Sequence, residues 1–237
     1  FTVSGGNDNS GVSSSGGGAI FNTNSNITVS NLLFTSNWAA SGGAIYNRFS
    51  SVIATNCRFI ANKSDGPAAV NNSVGSNSVF TNCVFSGNVT GGCSTLTNFQ
   101  SGATVTNCTF TGNTSTNPGG AMHNQPGIGK TVIIDNCQFT SNAAPQGGAI
   151  FGLEGTIIIR NSRFAGNAAS GTGGAISDVG ANTTATNCVF IGNTSGTNGG
   201  AVHTSNVFNA MNCSFSGNQA PVNGAMYLNA GRITNSI

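Results

Sequence analysis

Charged side chains are scarce in this chain of 237 residues. Only 5% of the residues are charged, with seven Lys and Arg against five Asp and Glu. Seven cations spread over this length are too few to line a surface that neutralises the phosphates of a nucleic acid. Asn, Ser, Thr and Gly supply the polarity instead, a composition that favours a secreted or cell-surface protein.

Long apolar runs and helical periodicity are also missing. No apolar run approaches the ~20 residues that a membrane-spanning helix needs. No apolar spacing of 3.6 residues persists over ten residues, which is the pattern that an amphipathic helix requires. The sequence therefore predicts almost no helix and no membrane span in this segment.

Acidic residues are few and scattered. Polysaccharide lyases and glycoside hydrolases need clustered carboxylates, or a calcium site with a basic residue nearby. In the repeat register given below, no two acids share a column in adjacent repeats. We therefore expect no catalytic residue, no metal site and no cofactor. The five acids are Asp8, Asp65, Asp135, Glu154 and Asp178.

A short phrase recurs along the chain at a nearly constant period. One copy reads Asn-Cys-Gln-Phe-Thr-Ser-Asn at residues 136–142, followed by Gly-Gly-Ala-Ile at residues 147–150. Successive copies lie 23 to 29 residues apart. A period in the twenties indicates a solenoid, in which each unit buries its apolar face against its neighbours. The first Asn of each copy is Asn31, Asn56, Asn82, Asn107, Asn136, Asn161, Asn187 and Asn212, with an incomplete copy at Asn235.

Each repeat contains three strand candidates separated by turn residues. The first is a β-branched segment before the repeat Asn, the second is Cys-x-Phe, and the third follows Gly-Gly. Stacked in register, they predict one all-β domain over residues 1–237. This domain is a single-stranded parallel β-helix (β-solenoid) of about nine coils. Parallel crossovers are almost always right-handed, so we expect a right-handed coil.

Two residue types recur in positions that predict vertical columns. One Phe per copy should form an aromatic stack, which adds about 0.5–1.5 kcal/mol per pair. The second Asn of each copy should form an Asn ladder with amides bonded between coils, and we expect it to take the left-handed conformation of a corner. The Gly-Gly pair should serve another corner. The Phe column is Phe34, Phe59, Phe85, Phe110, Phe139, Phe164, Phe190 and Phe215; the ladder is Asn37, Asn62, Asn88, Asn113, Asn142, Asn167, Asn193 and Asn218.

Six of the seven cysteines occupy the slot after the repeat Asn, which Leu32 and Ser162 fill in two copies. A slot that accepts Cys, Leu and Ser is a small interior position, where a free thiol behaves as a buried hydrophobe. Side-by-side Cβ atoms in parallel strands suit a disulfide poorly. We therefore expect reduced, buried thiols. The seventh, Cys93, is interpreted as replacing the Ala of a Gly-Gly-Ala tetrad.

The residue after each tetrad forms the best candidate for a binding column, because clustered exposed aromatics mark interaction sites. His123 and His203 belong to it but lie three coils apart, ~14 Å at ~4.8 Å per coil, too far to share one metal ion. Asn71 opens an Asn-x-Ser sequence in a loop-like stretch and is a candidate glycosylation site. The candidate column is Phe21, Tyr46, His123, Phe151, His203 and Tyr227.

The double motif carries a family resemblance. Phe-x-x-Asn paired with Gly-Gly-Ala-Ile, as in residues 139–142 and 147–150, resembles the polymorphic outer-membrane-protein repeats of surface adhesins. It is also similar to bacterial secreted right-handed parallel β-helix repeat proteins with Asn-Ser/Cys-x-Phe-x-x-Asn phrases. The match covers about residues 17–226. The resemblance implies extracellular display and, often, adhesion.

These observations favour a non-enzymatic extracellular structural or adhesive β-solenoid, as a segment of a surface rod or a filament subunit. The alternatives are a carbohydrate-active β-helix enzyme and a glycan-binding module. The last repeat phrase is incomplete at residues 235–237. Because open strand edges template further pairing, we expect end-to-end association with another copy or with further chain. A glycan or another cell-surface ligand is the expected partner beyond that.

Overall fold

The computed structural model describes residues 1–8, 16–67 and 69–237. These residues form a parallel β-helix of three sheets, with nine, eight and sixteen strands, which confirms the predicted fold class. Within the described ranges the regular elements are all strands, and no helix is long and apolar enough to cross a membrane. A full coil contributes four strands rather than the three expected. The additional strand has only two residues, too few for period-2 alternation to reveal it.

The phenylalanine sheet contains the Cys-x-Phe strand of each coil. Its strands are Thr2–Ser4, Leu33–Thr35, Arg58–Ile60, Val84–Ser86, Thr109–Thr111, Gln138–Thr140, Arg163–Ala165, Val189–Ile191 and Ser214–Ser216.

The short-strand sheet contains the two residues that follow each ladder Asn. Its strands are Asn7–Asp8, Trp38–Ala39, Lys63–Ser64, Val89–Thr90, Thr114–Ser115, Ala143–Ala144, Ala168–Ala169 and Thr194–Ser195.

The two-column sheet contains the tetrad strand and the β-branched strand that follows it in each coil. In the last two coils the two strands are continuous, as Val202–Met211 and Met226–Thr234. The tetrad strands are Ile20–Thr23, Ile45–Arg48, Val70–Ser73, Leu96–Phe99, Met122–Gln125, Ile150–Gly152 and Ile176–Asp178. The β-branched strands are Ile27–Ser30, Val52–Thr55, Asn77–Thr81, Gly102–Thr106, Thr131–Asp135, Thr156–Arg160 and Asn182–Thr186.

Strands of neighbouring coils pair in parallel and in register, so each repeat position becomes a column with ~4.8 Å between coils. Phe139, for example, pairs with Phe110 on one side and with Phe164 on the other. The longest period, 29 residues, does not shift this register. Its additional residues lie in the loop 126–130, between Met122–Gln125 and Thr131–Asp135.

The eight Phe rings of the repeat lie in one continuous stack through the core. Neighbouring ring centroids are 4.6–4.9 Å apart and the planes deviate by at most 7°. Seven of the rings are completely buried, and Phe215 in the last coil is partly buried. The stack thus joins eight coils through one apolar column, and Val3 takes the same register in the first coil.

The Asn ladder is confirmed and satisfies the backbone at a buried corner. Asn142 Nδ2 donates to Phe110 O of the preceding coil at 3.0 Å and to Asn167 Oδ1 of the next coil at 3.0 Å. Its Oδ1 accepts from both the backbone N and Nδ2 of Asn113, at 3.0 and 2.9 Å. One amide therefore ties three coils together.

The ladder Asn residues do not take the left-handed conformation that we expected of them. Positive φ occurs instead at the first Asn of each copy, such as Asn136 with φ 51°, and at the residue before the ladder Asn, such as Ser141 with φ 54°. The ladder side chain must point inward to reach the next coil. The turn is made by the residue before it, and Gly holds that place in five coils: Gly87, Gly112, Gly166, Gly192 and Gly217.

The two positions of the Gly-Gly pair require glycine for different structural reasons. Gly147 has φ 59°, which Gly adopts without steric cost. Gly148 has ordinary φ, but a Cβ there would overlap the carbonyl oxygens of Gly174 and Ala168 in the next coil. The first glycine therefore makes the expected corner, and the second permits close approach of adjacent coils.

The seven thiols are free, and the six in the repeat slot are buried. Cys137 Sγ contacts Asp135 O at 3.3 Å, and Ser162 Oγ makes the equivalent bond to Arg160 O at 2.6 Å, which explains why Ser is tolerated. A hydrogen bond with a neighbouring thiol and burial raise the pKa of Cys57. Cys57 therefore stays protonated and unreactive.

The interpretation of Cys93 is wrong. Leu96 pairs with Val70 and Met122, the tetrad Val and Met of the adjacent coils. Thr95 therefore occupies the Ala position, and Cys93 occupies the position of the first glycine. The Gly-Gly before Cys93 belongs to the preceding loop, a distinction that only cross-coil pairing reveals.

We expect Phe139→Ala to lower the free energy of unfolding by about 3–5 kcal/mol, because it opens a cavity between two stacked rings. Phe99→Ala is the matched control, since Phe99 is 40% exposed, and it should cost about 1 kcal/mol or less. Urea unfolding followed by circular dichroism measures both. Equal losses of unfolding free energy in the two variants would contradict the assignment of Phe139 to a buried core stack.

We expect Asn142→Ala to cost about 3 kcal/mol or more, because it leaves Phe110 O and the Asn113 donors buried without partners. Asn136→Gly is the control. It also removes an amide that bonds between coils, Nδ2 to Asn107 Oδ1 at 2.9 Å, but at an exposed position, and Gly supports the positive φ found there. Chemical unfolding should give a much lower free energy of unfolding for Asn142→Ala than for Asn136→Gly. The reverse order would refute the role of the ladder.

Candidate binding surfaces

The candidate binding column follows the tetrad strands in register, but it is not one exposed strip. Phe21 and Tyr227, at its two ends, are 49% and 39% exposed. The five central residues are 0–9% exposed, so the centre of the candidate column is not accessible to a ligand. The full column is Phe21, Tyr46, Asn71, Thr97, His123, Phe151, Ser177, His203 and Tyr227.

Loops between the short strands and the tetrads cover the centre of this column. His123 Nδ1 lies 3.3 Å from Pro118 O, to which the Nδ1–H tautomer donates. Ser177 Oγ lies 3.1 Å from Thr172 Oγ1. Burial lowers the pKa of His123, so its imidazole is neutral at physiological pH. We expected His123 to belong to an accessible binding column, and the covering loop contradicts this.

Aromatic side chains remain accessible only towards the ends of the column. Phe21 and Tyr46 meet at 5.5 Å between ring centroids near one end, and His203 stacks on Tyr227 at 5.0 Å near the other. These are two separate small patches, not a continuous groove for an extended ligand.

Asn71 is not the surface glycosylation site that its sequence suggested. It lies within the strand Val70–Ser73 and is only 5% exposed. Its Nδ2 donates to Ser41 Oγ at 2.9 Å under the covering loop. A transferase acting on the folded chain has no access to this amide.

The acidic residues stay apart in the fold. No acid is a register partner of another: Asp8 pairs with Ala39, Asp135 with Thr106 and Arg160, and Asp178 with Gly152 and Thr204. Among residues 1–8, 16–67 and 69–237, no group of three or more His, Cys, Asp and Glu is positioned to hold a metal ion.

Asp178 is nevertheless chemically distinct, because it is completely buried. Its Oδ1 accepts from Ala181 N at 2.8 Å and its Oδ2 from Thr183 Oγ1 at 2.6 Å. Burial raises the pKa of Asp178 to about 6, against the opposing effect of these bonds. The carboxyl therefore changes charge inside the fold near neutral pH.

Asp178 continues a second buried Asn column that sequence reasoning did not detect. Five amides bond from coil to coil at 2.8–3.0 Å. The chain of bonds ends where Gly152 takes the next position, and Asn124 Nδ2 is left buried without a partner. The signal was the Asn two residues after the tetrad Ile, Val, Leu or Met in the first five tetrad strands. The column is Asn22, Asn47, Asn72, Asn98 and Asn124.

A regular surface lies on the outer side of the β-branched strands, and we call it the hydroxyl–aliphatic face. It consists of two columns of half-exposed or exposed side chains two residues apart along each strand. One column is Thr28, Ile53, Val79, Thr104, Ile133, Ile158, Thr184 and Asn209; the other is Ser30, Thr55, Thr81, Thr106, Asp135, Arg160, Thr186 and Met211.

Short hydroxyl and β-branched side chains make most of this face flat, and every residue of its two columns is half-exposed or exposed. Its two charges, Asp135 and Arg160, are register partners of opposite sign in adjacent coils. At one end a cleft of about 380 Å³ opens between Thr184, Asn209, Met211, Arg232 and Thr234. None of the binding residues predicted from the sequence lies on this face. The sequence pattern that indicates the face is the alternation of outward Thr and inward Val in residues 104–106.

The loop 126–130 forms a second, smaller feature on the adjoining edge. Lys130 Nζ donates to Gln100 O at 2.7 Å and anchors the loop to a preceding coil. Ile128 at its tip is 97% exposed. The loop borders a cleft of about 340 Å³ whose lining also includes Glu154 and Asn182. The feature projects from one coil only.

Comparison with known families agrees with this architecture. A family model described as a right-handed beta helix region matches residues 3–126. A model of the Chlamydia polymorphic membrane protein repeat matches residues 187–205. No curated protein and no solved structure matches the chain.

We expect the buried Asp178 to make stability depend on pH. Because its pKa is raised from 3.8 to about 6, the folded state binds the proton more tightly than the unfolded chain. The protonated Asp178 carboxyl therefore contributes about 3 kcal/mol to the free energy of unfolding. This contribution is complete below about pH 4 and is lost as the pH rises through 6. Asp178→Asn should remove this dependence.

Burial lowers the pKa of His123 and His203, which gives an opposite slope below pH 6.5. The quantity to compare is therefore the stability difference between wild type and Asp178→Asn, from urea unfolding at pH 4, 5, 6 and 7. Asp135→Asn, at a half-exposed carboxylate, is the matched control. A difference that stays constant from pH 4 to pH 7 would contradict the assignment.

Proposed function

Since this chain belongs to the right-handed β-helix family, we propose that it is a non-enzymatic, surface-displayed solenoid that adheres through its hydroxyl–aliphatic face. The Chlamydia polymorphic membrane protein repeat matched at residues 187–205 supports display at a cell surface. The low charge content of the chain supports the same setting.

The observation that carries the proposal is the flat, regular outer surface of the β-branched strands. Side chains such as Thr104, Thr106 and Ile133 repeat there at ~4.8 Å from coil to coil. They combine methyl groups with hydroxyls and lose little conformational entropy on contact, since β-branched residues are stiff at χ1. A rigid face of this kind suits an extended, uncharged partner such as a polysaccharide or another β-helix.

The alternative of a carbohydrate-active enzyme lacks comparable support. Glycoside hydrolysis needs two carboxyl groups about 5–10 Å apart on either side of the substrate. Asp178 is internal, and Asp135 faces solvent beside Arg160. The expected end-to-end association stays a prediction.

Binding to intact cells tests the role of the face. The triple variant Thr104→Glu, Thr106→Glu and Ile133→Glu should bind cells at least tenfold more weakly than wild type, because three carboxylates disrupt the uncharged surface. The matched control places the same charges, in the same arrangement, on the outer side of the phenylalanine sheet: Thr109→Glu, Thr111→Glu and Gln138→Glu.

The measurement is flow cytometry of fluorescently labelled protein on intact cells at physiological ionic strength. Antibody labelling of intact producing cells tests display independently. Equal binding by both triple variants would refute the role of the face, and labelling only after cell lysis would refute surface display.

A further inference from the structure

Trp38 is the one tryptophan of the chain, and it occupies a position where the fold does not need it. It lies half-buried on the outer side of the short-strand sheet. From Val89 onwards the coils carry small or short residues at the same register, so the stack itself does not require an indole. An aromatic residue that departs from the repeat on the outer side of a sheet is available for ligand binding. The column is Asn7, Trp38, Lys63, Val89, Thr114, Ala143, Ala168 and Thr194.

The indole borders a cleft that also carries a cation. The cleft has a volume of about 210 Å³ and is lined by Ser36, Asn37, Trp38, Ala61 and Lys63. Lys63 is exposed and is the register partner of Trp38 in the next coil. Both side chains therefore line the same cleft.

Asp65 holds the indole at its edge. Trp38 Nε1 donates to Asp65 Oδ1 at 3.3 Å, and this carboxylate is solvent-exposed. The bond orients the ring relative to the cleft. Lone pairs of the carboxylate remain free to accept hydroxyl groups of a ligand.

Local charge favours an anionic ligand. Lys63 is the charged residue in the lining of the cleft. Arg58, which begins the preceding strand Arg58–Ile60 of the same coil, adds a second positive charge to this part of the coil. Asp65 is not part of the lining, so Lys63 is the group in the cleft that meets a ligand's charge.

We propose that this cleft binds one acidic sugar residue, a pyranose ring that carries a carboxylate. The apolar C–H face of the ring packs on the indole, Lys63 pairs with the carboxylate, and Ser36 and Asp65 bond to hydroxyls. A cleft of about 210 Å³ holds a single ring rather than a chain. The inference deepens the proposed adhesive role and rests on it, by naming a ligand class for a second surface.

Because Trp38 is the sole tryptophan, intrinsic fluorescence reports directly on this cleft. The probe is sodium glucuronate, with glucose as the neutral counterpart at equal ionic strength. A ligand of this size should bind with Kd of about 1 mM. We expect a saturable change in Trp38 emission with glucuronate, and at least tenfold weaker binding of glucose.

Lys63→Gln should weaken glucuronate binding at least tenfold and leave the glucose response unchanged. Lys130→Gln is the matched control, since Lys130 lies in the distant loop 126–130, and it should bind as wild type does. A non-saturable response to both sugars, or equal binding by wild type and Lys63→Gln, would overturn the proposal.

The same titration separates this inference from the proposed function. The triple Glu variant of the hydroxyl–aliphatic face should keep the glucuronate response of wild type, because its substitutions lie on another sheet. If that variant binds cells normally while Lys63→Gln loses glucuronate, the adhesive role of the face fails and the acidic-sugar cleft stands.

Discussion

Hydrogen bonding between identical positions of adjacent coils is the constraint on which this structure depends. A coil of about 25 residues encloses a narrow core, and each of its corners turns buried backbone groups away from water. Asn142 meets this problem with one side chain, which bonds to Phe110 O and Asn167 and accepts two bonds from Asn113. The bonds form only when coils are in register, so the ladder sets the register as well as the corner. The Phe stack then fills the space that this register creates.

The columns of the interior could be predicted from the sequence because they obey a strict period. Phe139 and Asn142 recur at fixed separation, and their stacking follows once the coil is assumed. The position of a residue along the chain does not reveal whether a loop covers the outer side of its strand. Asn71 and His123 have outward positions by alternation, yet the loops at Ser41 and Pro118 cover them. Cys93 shows a related limit, since two glycines nearby suggested one register and the strand pairing of Leu96 requires another.

Function in such an array is expected where coils differ or where the outer surface is left uncovered. Interior positions are held nearly constant by their neighbours above and below. Outer positions are free, and here they divide into two kinds. The hydroxyl–aliphatic face repeats over many coils and suits an extended partner, whereas Trp38 and Lys63 interrupt a column of small residues in only two coils and suit a compact ligand. Both surfaces use the same rigid scaffold, and neither requires a titratable cluster.

The interior also contains one place where the rule of identical neighbours fails. The second Asn column ends at Asn124, whose Nδ2 has no partner, and the next two coils carry Gly152 and the buried Asp178. In a solenoid each coil contacts only its neighbours, so the cost of an unpaired amide and of a buried carboxylate falls on the coil interfaces that contain them. Above the pKa of Asp178 this cost is largest, because the buried group is then charged. The coil interfaces between Asn124 and Asp178 therefore carry this cost, while the Phe stack and the Asn142 ladder, continuous through these coils, keep the array joined.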